Sequence, residues 1–370
     1  MKEVGMKKVL VVGMVLLIAM NMVFAGGQTE SSSSKGMIGV VMPTRSEERW
    51  NKDGAAVKEG LEKLGYKVDL QFSDDDIPTQ VRQIEDLITK GAKVLVIASI
   101  DGSALTDVLA KAADAGIPVI AYDRLIMKSP NVDYYLSFDN YAVGQQMGDI
   151  LIKGMNLDNP KKKPLLIELF GGSPDDNNAY KFYDGAMNRL KPYFDNGTLK
   201  IGSGQKGMDT VGTLRWSNEL AMSRMENLLS AYYTNQTLDG ILSPYDPISL
   251  STLEACKAVG YGTADKPLPV VGGQDCIVAS CKSILAGEQY ATVLKDTRVL
   301  GQATVELVDT IMQGKVPSGL DTTSYNNDSV KDGKPYIVPS VLLKSVVVTK
   351  DNLKAEVVDT GYHTAAEVGL

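Results

Sequence analysis

An α/β protein of two similar doubly wound parallel-sheet lobes is predicted from three features of the sequence. Short β-branched runs alternate with amphipathic helical stretches, the same rhythm restarts after Asn140, and no Pro- or Ser-rich tether separates the halves. The missing tether points to lobes joined by crossing strands rather than by a flexible linker.

In the first half, residues 37–42 read as a strand. A helix follows with Trp50, Val57, Leu61 and Leu64 on one face, stopped at Gly65. Residues 67–72 form a second strand, and Pro78 opens a helix carrying Val81, Ile84 and Ile88 that ends at Gly91. A strand over 94–97, a helix over 104–115 and a strand over 117–122 complete a βαβαβαβ order, which implies a parallel sheet covered on both faces. The second half has strand-like runs at 165–169, 199–201, 240–243, 269–271 and 290–294. Helical stretches fall at 143–155, 178–190, 218–233, 249–259, 277–286 and 300–312, and the tail over 336–349 reads as irregular or extended.

The first 25 residues read as a signal peptide. Lys2, Lys7 and Lys8 make a basic start, and Val9 to Met20 is an apolar run well short of the ~20 residues a membrane helix needs. Val23 and Ala25 supply the small residues of a cleavage site, and residues 26–35 read as a polar, flexible leader. These features imply export to the periplasm. About 345 residues then remain, more than one ordinary core holds and suited to two domains. The net charge of −7, with no basic cluster, argues against a nucleic-acid partner.

His363 is the only histidine, which makes a Ser-His-Asp triad or a metal centre improbable, and no nucleotide-binding Gly-rich loop is present. No cofactor is expected and no enzymatic activity. Cys256, Cys276 and Cys281 read as buried small hydrophobes. The spacing of the last two suits a bridge poorly if a helix lies between them.

Polar residues gather directly after the predicted strands, where open α/β sheets bind ligands. They are Arg45 to Trp50, Ile100 to Gly102, Asp123-Arg124, Gly171 to Asn178, Tyr245-Asp246, Gln274-Asp275 and Lys295-Asp296. Carboxylates and amides mixed with a few cations suit a ligand whose hydroxyls both donate and accept. Asp123 and Arg124 follow an apolar strand and are hard to explain as helix caps, whereas Asp246 and Asn178 could serve equally as caps or contacts. The two tryptophans, Trp50 and Trp216, stand at comparable places in the two halves and could cover both apolar faces of a pyranose.

Several segments carry a family resemblance: SDDDIPTQ (73–80), KVLVIASIDG (93–102), VIAYDRLI (119–126), ELFGGSPDDNNA (168–179), GTLRW (212–216), LSPYD (242–246), GQD (273–275) and KDTR (295–298). The chain resembles, from about Met37 to its end, the periplasmic pentose/hexose-binding proteins of ABC transporters, of the xylose-binding and multiple-sugar-binding kind with a type I periplasmic binding-protein fold. The resemblance implies monosaccharide contacts from Arg49, Trp50, Asp101, Asp123, Arg124, Asn177, Asn178, Trp216, Asp246, Asp275 and Lys295. It further implies three crossover strands, near 137–140, 293–296 and 338–340. The N-terminal lobe would then be 36–138 plus 296–337, and the C-terminal lobe 139–295 plus 338–370. The implied partners are a membrane permease and, in some such proteins, a chemoreceptor or sensor kinase, with the binding protein itself monomeric. A sugar-responsive transcription regulator shares such a core but would need a DNA-binding segment before residue 37. A glycosidase, or a binder of a furanose or nucleoside, is the remaining alternative.

Overall fold

The computed structural model describes residues 35–370. The expected signal peptide and all but the last residue of the leader lie outside the described residues. The chain begins with β1 (Met37–Met42), α1 (Glu48–Lys63), β2 (Lys67–Phe72), α2 (Ile77–Thr89), β3 (Val94–Ile97), α3 (Thr106–Asp114), β4 (Val119–Tyr122) and β5 (Tyr134–Phe138). These strands pair parallel in the order β2-β1-β3-β4-β5. Every residue of β3 and β4 is buried because helices cover both faces. Successive strand residues point to opposite cores: Val40 and Val96 pack with Trp50 and Leu61 of α1, while Val41 and Ile97 pack with Ile84 and Leu87 of α2. Asp76 caps α2 by accepting from Thr79 N–H at 2.8 Å, as its position before Pro78 leads one to expect.

The chain then crosses into α4 (Asn140–Gly154), β6 (Leu165–Leu169), α5 (Asn177–Asp195), β7 (Leu199–Ile201), α6 (Met208–Val211), α7 (Asn218–Tyr232), β8 (Gly240–Leu242), α8 (Asp246–Ala258), β9 (Val270–Val271), α9 (Val278–Ala286) and β10 (Ala291–Leu294). The second sheet runs β7-β6-β8-β9 and continues to β10 through a parallel bridge between Gln274 and Val293. Both lobes therefore share one strand order. The return crossing leads to α10 (Thr297–Met312), which packs on α1, and on to a hairpin of β11 (Asn326–Lys331) and β12 (Lys334–Ile337) that the sequence did not signal.

The expected third crossing requires correction. Ser340–Leu343 forms β13, which pairs parallel with β5 as the outer strand of the first sheet. The passage to lobe two comes only afterwards, before β14 (Val346–Thr349) pairs antiparallel with β10. The first lobe thus keeps residues 338–343, which the expected boundary at 337 gave to the second. The two strands are separated by Lys344 and Ser345 alone, a break too short to read in an extended sequence. A final short helix, α11 (Ala365–Val368), carries its own Thr364–Glu367 capping box.

Helices α4 and α5 meet backbone to backbone. A Cβ on Gly144 would fall 2.3 Å from the carbonyl oxygen of Phe182, and one on Gly185 would fall 2.2 Å from that of Tyr141. This approach fixes the start of α5, which borders the cleft. Gly185→Ala is expected to destabilise the protein by about 1–3 kcal/mol, overpacking outweighing the gain in helix propensity. A urea-unfolding midpoint equal to that of the parent would contradict this close packing.

Candidate binding cleft between the lobes

The carboxyl ends of the strands of both sheets face each other across a cleft. An outer cavity of about 430 Å³ and an inner chamber of about 20 Å³ share Glu47, Arg49, Trp216, Tyr245 and Asp275 as walls. Arg49, on the first turn of α1, is the centre of the inner chamber's charge network. Its guanidinium donates to Asp53 Oδ2 at 3.2 Å and to Asp123 Oδ1 at 2.9 Å, and lies 3.7 Å from Asp275 Oδ1 of the other lobe. Lys295 Nζ, at the end of β10, stands 3.2 Å from Asp275 Oδ1 and 3.8 Å from Asp123 Oδ1. Arg124 donates to Ser99 O and pairs with Asp176 of lobe two at 3.1 Å.

The backbone at Asp123 is left-handed, with φ 58°. That conformation is unfavourable for a residue with a side chain, and the surroundings hold it in place. Its carbonyl accepts from Tyr135 Oη (2.8 Å), Ser137 Oγ (2.9 Å) and Asn178 Nδ2 (2.9 Å). Burial alone would raise the Asp123 carboxyl, but Arg49, Lys295 and Arg124 outweigh it and hold the group down at about 2. Asp53, buried beneath Arg49 and hydrogen-bonded by Tyr122 Oη, is pushed up by burial to about 6.

Aromatic rings complete the walls. The guanidiniums of Arg49 and Arg124 lie 4.3 and 5.0 Å from the Trp50 ring centroid. Trp216 packs edge-on against Phe182 and Tyr245 and lies over Gly172, where a Cβ would fall 2.1 Å from its ring. Trp50 Nε1, Trp216 Nε1 and Gln274 Oε1 are buried with no hydrogen-bond partner among the described residues. Unpaired buried polar atoms are rare and mark places where polar partners are expected.

Of the residues expected to contact ligand, Arg49, Trp50, Asp123, Arg124, Asn178, Trp216, Asp275 and Lys295 line the inner chamber. The structure does not place Asp101, Asn177 or Asp246 there. Asp101 accepts from Ser103 N–H in a local turn, and its neighbour Gly102 donates to Asp175 O of the opposite lobe at 3.0 Å. Asn177 faces a separate groove with Lys128 and Tyr180. Asp246 is fully buried behind the wall, accepting from Thr292 Oγ1, Gln289 Nε2 and Ile277 N–H. In two of these segments the lining residue is the immediate neighbour: Asp176 beside Asn177, and Tyr245 beside Asp246. The strand ends pointed to segments that line the chamber, but which of two adjacent polar residues turns inward depends on backbone torsion. Glu47 and Gln274 lay within the quoted polar clusters, whereas Phe182, in mid-helix, carried no sequence signal.

Burial pushes the Asp246 carboxyl up to about 7, against the hydrogen bonds from Gln289 and Thr292 that favour its charged form. A folded-state value above the unfolded one near 3.9 means that the folded chain holds the proton more tightly. The stability contributed is full below that unfolded value and is lost as pH rises through about 7. The urea midpoint is expected to fall between pH 5 and pH 8, with Asp53 acting in the same direction. Asp246→Asn should flatten that fall, and an unchanged slope in the variant would count against the buried, protonated carboxyl.

A family model described as a periplasmic binding protein domain matches residues 38–316. The multiple sugar-binding periplasmic receptor ChvE of Rhizobium radiobacter is 53% identical over 337 residues, covering 91% of this chain and 93% of its own length. The D-xylose-binding periplasmic protein of Escherichia coli is 35% identical over 331 residues, with 90% and 92% covered. Among solved structures, an ABC transporter solute binding protein from Clostridium phytofermentans with bound β-D-glucose superposes with a TM-score of 0.83 at 43% identity. The match covers 90% of this chain and 99% of that one. With the two-lobed fold and the polar cleft at its strand ends, these matches make the chain a member of the periplasmic binding protein family, among its sugar-binding, non-enzymatic type I proteins.

Proposed function

We propose that the cleft closes on one aldopyranose, an aldohexose or aldopentose of the kind represented by D-glucose and D-xylose, and that the closed form delivers it to an ABC transporter permease. The observation that carries this reading is the set of buried polar groups meeting from both lobes, including indole N–H groups and an amide oxygen with no partner among the described residues. Asp123, Asp176 and Asp275 would accept from sugar hydroxyls, and Arg49, Arg124 and Lys295 would donate to hydroxyl and ring oxygens. Each such charge-assisted bond contributes about 1.5–3 kcal/mol. Trp216 and Phe182 offer a surface for the sugar's C–H face.

Binding and closure are one process here. Contacts to Arg49 and Asp123 come from one lobe and those to Asp176 and Asp275 from the other, so a ligand bridging them favours the closed form. The names of the relatives support both the ligand class and a periplasmic location. Residues 1–25 would be the cleaved export signal. One of those relatives is named a receptor, which favours a second role in which a sensor protein reads the closed state.

A thermal-shift panel of aldoses on protein lacking residues 1–25 tests the ligand class. D-glucose or D-xylose should raise the melting temperature through mass-action linkage, about 2.7 kcal/mol at a hundredfold excess over Kd. A shift with furanoses or nucleosides alone would overturn the pyranose assignment. Asp123→Ala should weaken sugar binding about tenfold or more, since it leaves Arg49 and Lys295 under-paired in a dry chamber. Unchanged affinity would remove Asp123 from the site.

A further inference from the structure

Cys276 and Cys281 are both fully buried, and their sulfurs lie 3.5 Å apart. The spacing that looks poor for a continuous helix becomes favourable because α9 starts only at Val278. Cys276 sits in the preceding loop, and Cys281 on the first turn of α9 turns back towards it. The same loop carries Gln274 and Asp275 into the cleft. It is conformationally demanding: Asp275 and Cys276 have φ values of 84° and 52°, left-handed backbone at two consecutive residues with side chains. The loop is held from several directions. Asp275 N–H donates to Val293 O, Ile277 N–H donates to Asp246 Oδ2, and His363 Nε2 donates to Cys276 O at 2.8 Å.

We propose that Cys276 and Cys281 form a disulfide that braces the Asp275 loop against the start of α9. The inference adds a covalent site to the sugar clamp and rests on the reading of the chain as exported to an oxidising compartment. To form the bond, the sulfurs close from 3.5 Å to about 2.0 Å, a movement within reach of side-chain rotation. Two S–H bonds break and one S–S bond forms. Two electrons and two protons pass to the disulfide of a protein thiol oxidase, which leaves as a dithiol. The hydrogen bond with Cys281, together with burial, holds the Cys276 thiol well above its ordinary range. Both sulfurs are fully buried in the folded protein, so closure belongs to folding, before the loop is covered. Cys256, on α8 in a separate hydrophobic cluster, remains a thiol.

Thiol counting tests the proposal without reference to any sugar. Protein exported to a periplasm and purified without reductant should weigh about 2 Da less than the reduced chain before labelling, and once denatured and alkylated should take label at Cys256 only. Label on Cys256, Cys276 and Cys281 together would overturn the disulfide, whether or not the protein binds sugar. Protein reduced while unfolded and refolded with reductant present should melt about 4 °C lower than the oxidised form, since a loop constraint is lost from the unfolded chain. Equal melting temperatures would overturn the bracing role.

Discussion

The structure depends on burying a small set of charged side chains between two lobes. Arg49 is the hub: it is buried, pairs with Asp53 on its own helix and Asp123 after β4, and reaches towards Asp275 across the cleft. Taking such groups out of water is expensive, and a buried pair often does little for stability compared with apolar packing. The network makes sense as a recognition surface, provided each charge is placed to within a fraction of an ångström. Much of the surrounding architecture supplies that placement. Helix α1 lies against α10, with Gly60 against Val305 and Gly301 against Ala56. The Asp123 carbonyl is clamped by Tyr135, Ser137 and Asn178, groups on the crossover strand and the second lobe. The crossover strand and the proposed ligand site therefore share one hydrogen-bond network.

Polar contacts also join the lobes directly. Gly102 N–H donates to Asp175 O, Arg215 donates to Ile100 O while pairing with Asp175, and Tyr245 Oη reaches Glu47 at 3.4 Å. Polar contacts of this kind can be exchanged for water at low cost, unlike a large apolar face. The proposed closure, which would reverse for delivery, needs that balance. The Ile100 to Gly102 turn, whose Asp101 resembled a ligand contact in the sequence, instead forms an edge where lobe two docks.

Most of the secondary structure was legible because each element carries a local signal. Val94–Ile97 and Val119–Tyr122 are continuous apolar runs, as strands buried on both faces must be, and Pro78 and Gly91 mark a helix's two ends. The β11–β12 hairpin was missed because Asn326–Lys331 alternates burial with polar side chains in its buried positions, including Asn327. Apolar periodicity cannot reveal such a strand. Placing the third crossing at 338 rather than at Lys344–Ser345 has a related cause. Strands β13 and β14 differ in the sheet they join, and nothing local encodes that choice.

The chain's local chemistry was enough to establish an α/β protein of two repeated halves, and to mark the strand ends, with Asp123-Arg124 and Gln274-Asp275 among them, as candidate recognition segments. Those properties follow from hydrophobic period and from polar residues placed where a strand stops, both written within a few residues. Packing in three dimensions decided which neighbour turns inward: Asp176 rather than Asn177, and Tyr245 rather than Asp246. It also buried Asp246 behind the wall and brought Cys276 against Cys281. Such outcomes depend on backbone torsions and on partners distant in sequence, such as Thr292 for Asp246, which no local window contains.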